Sequence, residues 1–225
     1  MNIKRILATL FVLAAFALQA QAGELHDAAG NGDTVKVRQL LEKGTDVNAR
    51  DNQHWTPLHW AAYSNHTAAA KLLIEKDADV NAKIYGVQFD EHNPVKADQW
   101  TPLHLAAAYD HTAVAKLLIE KGADVNAKDK LQISPLAWAI MEYHYAIARL
   151  LIEKGADVNA KNKMQWTPLH EAALNGHYET ARLLIEKGAD VNARDYHGRT
   201  PLYLAKDWRH TETARLLIQK GAIEW

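Results

Sequence analysis

"DNQHWTPLHWAAYSNHTAAAKLLIEKDADVNAK" spans Asp51–Lys83, and its pieces return down the chain. A T/S-P-L-x run begins at Thr56 ("TPLHWAA"), Thr101 ("TPLHLAA"), Ser134 ("SPLAWAI"), Thr167 ("TPLHEAA") and Thr200 ("TPLYLAK"). The last three intervals are 33 residues each and the first is 45, so one unit carries 12 extra residues. Counting back 33 from Thr56 reaches Gly23, where "GELHDAAGNGD" fits the same frame. Six units result: 23–50, 51–83, 96–128, 129–161, 162–194 and 195–225, with an insertion at 84–95. A fixed period in this range marks a stacked repeat architecture.

Each unit reads as helix, turn, helix and extended arm. Thr supplies an N-cap oxygen, and Pro takes the first helical position, where its missing N–H costs nothing. In the second helix Ala115, Leu118 and Ile119 fall at i, i+3 and i+4, one apolar stripe. Gly44, Gly122, Gly155, Gly188 and Gly221 stop this helix, a position that calls for a left-handed backbone. Asp77 stands in that place in the second unit, at a cost of roughly 1 kcal/mol. One unit cannot bury its stripe alone, whereas a stack can. Polar residues at the two ends (Lys36 and Gln39 in the first unit, Lys206 in the last) read as caps.

The period together with "TPLHLAA" and "LLIEKGADVNAK" resembles the ankyrin repeat, over essentially all of residues 23–225. The resemblance implies a mainly α solenoid of paired antiparallel helices with β-hairpin fingers along one edge. It also implies binding of a protein partner through finger tips and inner-helix faces, with no enzyme activity and no cofactor.

The first 22 residues differ from the rest. Lys4 and Arg5 precede an apolar run from Ile6 to Leu18, and Ala20-Gln21-Ala22 follows. These are the marks of a secretory signal peptide cut after Ala22, and they predict a periplasmic or secreted protein. If the segment stayed uncut, it would make the chain a membrane-anchored scaffold. Removing Lys4 and Arg5 leaves 24 basic against 27 acidic residues. That balance gives no basic face for nucleic acid. The absence of cysteine excludes disulfides, thiolate metal sites and thiol nucleophiles.

Twelve histidines invite a metal reading, but the frame absorbs nine. His26, His59, His104 and His170 hold the fourth place of the run, a structural position in the family. His66, His111, His144, His177 and His210 hold the turn between helices. Equivalent positions one repeat apart do not converge on an ion, so no metal site is expected. No G-x-S-x-G, H-E-x-x-H or phosphate loop is present. A hydrolase or small-molecule binder in the concave groove is the rival reading, without a triad to support it.

The aromatic residues are the candidate binding positions. Trp55, Trp100 and Trp166 precede Thr, in the returning arm, with Ile133 and Arg199 completing the row. This arm is expected to be partly exposed. Trp60 and Trp138 share the inner-helix place after the histidine with Glu171 and Asp27, which predicts a solvent-tolerant position. Tyr63, Tyr109 and Trp208 lie near inner-helix ends, and Tyr196 sits on the last arm. The insertion adds Tyr85 and Phe89. Two readings of it stand side by side: a functional loop and a tolerated surface insertion. The fourth unit lacks the structural histidine (Ala137) and carries Tyr143 at the turn, with either local repacking or a specific surface as the reason. The expected protein is a monomer that recognises a protein partner with a rigid aromatic surface, one specific form being an inhibitor or immunity-type partner of an exported protein.

Overall fold

The computed structural model describes residues 22–85 and 98–223, so all of the predicted signal segment but Ala22, together with Phe89 and most of the insertion, lies outside the described residues. Among the described residues there are twelve helices, in consecutive pairs. The inner row is α1 (22–30), α3 (Pro57–Tyr63), α5 (Pro102–Ala108), α7 (Pro135–Met141), α9 (Pro168–Leu174) and α11 (Pro201–Asp207). The outer row is α2 (Thr34–Glu42), α4 (Thr67–Ile74), α6 (Thr112–Glu120), α8 (Tyr145–Glu153), α10 (Tyr178–Glu186) and α12 (Thr211–Gln219). No helix among them is long and apolar enough to cross a membrane.

Side-chain size sets the curl. Inner helices meet through buried alanines, among them Ala61, Ala62, Ala106, Ala107, Ala139, Ala172 and Ala173. Outer helices are spaced by Leu40, Leu73, Leu118, Leu151 and Leu184. The inner row therefore packs more closely than the outer row, which makes the inner side concave.

The helix starts follow the expected chemistry. Thr56, Thr101, Ser134, Thr167 and Thr200 are N-caps in extended backbone, each with Pro at the first turn. His59, His104 and His170 complete capping boxes, the ring reaching back to the Thr backbone. The outer helices end at Gly44, Gly122, Gly155, Gly188 and Gly221, with φ between +85° and +90°, and Asp77 adopts the same region at +65°.

An asparagine ladder ties unit to unit. Asn81 donates Nδ2–H to the Gly122 carbonyl (3.2 Å) and accepts from the Asp124 N–H (2.8 Å). Asn48, Asn126, Asn159 and Asn192 repeat this pair of bonds with the unit that follows each. Asp79, Asp124, Asp157 and Asp190 accept from the N–H two residues on, the turn role expected of them.

The connecting arms differ from the hairpins expected. No strand is present among the described residues. Each arm is instead a tight turn closed by a pair of backbone bonds, such as Asp51 N–H to Trp55 O with His54 N–H to Asp51 O, or Asp129 N–H to Ile133 O with Gln132 N–H to Asp129 O. Single bonds such as Lys163 N–H to Leu131 O and Tyr196 N–H to Met164 O join an arm to its neighbour. One bond between neighbouring arms is too few for a ladder.

At the N-terminal end Lys36 pairs with Glu24, in keeping with a polar cap. The C-terminal end is less polar than Lys206 suggests, because Tyr203, Ile218 and Ile223 are exposed there.

Candidate functional site

The histidines are spent in the scaffold. His59 Nδ1 accepts from the Thr56 N–H (3.2 Å), and its Nε2 faces the Trp100 carbonyl at 3.4 Å. His104 repeats this with Thr101 and Ile133, and His170 with Thr167 and Arg199. An Nδ1 that accepts and an Nε2 that donates describe one neutral tautomer. Burial pulls His59 and His104 down to about 3 and lowers His170 as well. In the turn set, His111, His144 and His210 donate Nε2–H to the carbonyls of Tyr63, Ala108 and Leu174. Among the described residues no three His, Asp or Glu side chains are placed to hold a metal.

The fourth unit has repacked. Where Gly32 and Gly176 stand, a Cβ would come within 3 Å of the ring of the following unit's histidine, His66 or His210. Tyr143 takes that place with φ +65°, and its ring meets His177 at 4.0 Å. His177 Nε2 is then buried without a hydrogen-bond partner among the described residues, unlike His111, His144 and His210.

The tryptophan row before Thr is not the exposed edge the sequence suggested. Trp55 and Trp100 are only 3% exposed, and Trp166 is half-buried. These rings turn inward beneath the arm: Trp55 lies 4.8 Å from Trp60, and Trp100 lies 4.6 Å from Trp138 of the next unit. The indole N–H of Trp166 reaches Asp195 Oδ2 (3.0 Å), whereas those of Trp55 and Trp100 are buried without a partner among the described residues. Arg199 is held over Trp166 and ion-paired to Asp195 at 2.8 Å, so it belongs to the same packed cluster.

The other candidates fall into two groups. Trp60, Tyr63, Tyr109 and Trp138 are half-buried on the inner row. Trp60 meets Tyr63 edge-on at 6.2 Å, and Tyr63 meets Tyr109 at 4.9 Å. Asp51 clamps Trp60 through its indole N–H (2.7 Å), and Asp129 clamps Trp138 (3.1 Å). Burial pushes the Tyr109 hydroxyl up to about 12, so it stays a neutral donor. Tyr85, Trp208 and Tyr196 are exposed and separate, with Arg50 stacked over Tyr85.

The inner-helix place after the histidine does not uniformly tolerate solvent. Leu105, Leu204 and Glu171 are buried there, and only Asp27 on the open first unit is exposed. Glu171 is 6% exposed and makes no ion pair or side-chain hydrogen bond with the described residues; burial raises its pKa to about 7. Reading the place by residue type alone missed this carboxyl. The signal was the spacing: Asn162 and Glu171 stand nine apart, where Asp51/Trp60 and Asp129/Trp138 stand in other units.

Residues 18–84, 84–162 and 160–224 each match the family model described as ankyrin repeats, three copies. No curated protein matches the chain. A match that runs through almost every helix, joined to the capping boxes and the asparagine ladder, is decisive: the chain belongs to the ankyrin-repeat family, whose members are generally protein–protein interaction modules.

Proposed function

We propose that this chain is a non-enzymatic binding protein, a six-unit solenoid exported after loss of residues 1–22, that holds a protein partner on its concave inner face. In its most specific form the partner is an exported protein kept inactive by this contact. The observation that carries the reading is the inner-face row of Trp60, Tyr63, Tyr109 and Trp138, half-exposed and already fixed by ring contacts and aspartate clamps. Aromatic anchors of this kind dominate interfaces, and rings fixed beforehand lose little side-chain entropy on binding.

The test is cross-linked capture from a periplasmic extract with the mature chain, beside a Tyr63→Ala/Tyr109→Ala variant that still melts cooperatively. One protein retained by the wild type and lost by the variant is expected. Capture that the variant keeps in full would move binding off this face. N-terminal sequencing of the exported chain should begin at Gly23; a retained Met1 would replace export with anchoring.

A further inference from the structure

The finger-base residue does the same work in the second and fourth units. Asp51 Oδ1 accepts from the N–H groups of Gln53 and Trp55, and Asp129 Oδ1 from those of Leu131 and Ile133. In both, Oδ2 is left to take the indole N–H of the tryptophan nine residues on, Trp60 or Trp138. In the fifth unit both partners change. Asn162 Oδ1 accepts from Met164 and Trp166 in the usual way (2.8 and 3.0 Å). Its Nδ2, a donor, therefore takes the place of Oδ2, which in the other two units serves residue nine. Here residue nine is Glu171, and no bond joins the two side chains.

An unpaired carboxyl, more than nine-tenths buried, is expensive and is normally matched by a cation. Among the described residues no cation pairs with it: Arg199, held over Trp166, is committed to Asp195. The neighbouring register positions hold Trp138, one unit earlier, and Trp166, five residues before Glu171. Half-buried indoles at register positions that flank a carboxyl suit a cation with an apolar stem or a flat face.

We infer that the inner face at the fourth and fifth units receives a basic side chain, lysine or arginine, of the protein partner, with Glu171 as its counter-ion and Trp138 and Trp166 as its walls. The inference rests on the protein-binding reading and names the chemistry of the partner at one point. Its physical basis is charge complementarity: the chain has buried an anion here and left the cation to be brought from outside.

The test needs no partner. Acetyl-lysine amide, acetyl-arginine amide and acetyl-glutamine amide are titrated into the full mature chain at pH 8, and the Trp138 and Trp166 indole resonances are followed. Saturable shifts at millimolar concentration with the two basic amides, and none with the neutral one, are expected. Glu171→Gln, which keeps the shape, should weaken binding at least ten-fold. Glu171→Leu, the residue type carried at Leu105 and Leu204, should abolish it in a well-folded chain. Equal responses to all three amides, no response, or a response that both variants keep would overturn the site. Any of these would leave the wider reading intact, since that stands or falls on the capture experiment.

Discussion

His104→Ala should lose its destabilising effect as the solution is acidified. At neutral pH the substitution removes the cap on Thr101 and the bond to the Ile133 carbonyl, and leaves a gap in the stack. A cost of about 2–4 kcal/mol follows from one lost inter-unit bond and a buried truncation. The wild-type histidine, however, is held neutral by burial, with a folded pKa of about 3 against 6.5 for a free side chain. A depressed histidine pKa means that the unfolded chain binds the extra proton. Its contribution is thus complete above pH 6.5 and falls as pH drops from there toward 3. At pH 5 the gap of 1.5 units from the free value amounts to about 2 kcal/mol. Any folded pKa below about 4 gives nearly the same figure, because the unfolded value sets it. Glu171, with a raised pKa, acts in the opposite sense between pH 4.5 and 7, but it is common to both proteins and drops out of the difference. Urea unfolding of both proteins at pH 7.5, 6 and 5, followed by circular dichroism, gives the test. The gap should shrink by about 2 kcal/mol between pH 7.5 and 5. A gap that stays constant, or widens in acid, would refute the neutral buried histidine.

Glu171→Leu should stabilise the chain by about 3 kcal/mol at pH 8 and by far less at pH 4.5, because the raised carboxyl pKa penalises folding progressively from 4.5 up through 7; urea midpoints at the two pH values measure it. Trp166→Phe should cost about 1–2 kcal/mol through its bond to Asp195, while Trp100→Phe costs less despite deeper burial, because it discards an indole N–H with no partner among the described residues. Thermal melts of the pair should rank them in that order. Tyr143→Gly should raise stability by about 1–2 kcal/mol, by relieving a left-handed tyrosine and freeing His177 to reach a carbonyl as its counterparts do. A lower melting temperature would show that the tyrosine–histidine contact is worth more than the bond it displaces.

The helices, their caps and their glycine stops were legible in the sequence because each depends on residues within one 33-residue unit. Thr56 and His59, or Leu118 and Gly122, are close enough along the chain for local chemistry to decide their roles. The burial of Trp55 and Trp100 was not legible, because it depends on which way an indole turns beneath an arm and on the ring it meets, which for Trp100 belongs to the next unit. The same holds for Glu171. Asp27, its counterpart, is exposed and Trp60 and Trp138 are half-buried, so the shared position suggested solvent at a unit where it is buried. The arms misled in the other direction: two backbone bonds and two more to the carboxylate close each turn at Asp51 and Asp129, and no strand forms among the described residues.

The bonds at the second junction have a consequence for how the chain can be cut. Asn81 to Gly122, His111 to Tyr63, Lys83 to Lys128 and Ile84 to Trp100 all link residues at or before position 84 with residues from position 100 on. Their register matches that of junctions without added sequence. These bonds among the described residues are enough to hold the register, and a covalent link between the two sides adds a loop-closure term. A protease nick inside the insertion should leave two fragments that copurify, and the two pieces made separately should find each other as a split protein. The same site would accept a fused domain or a reporter, with the concave face left whole on either side of the seam.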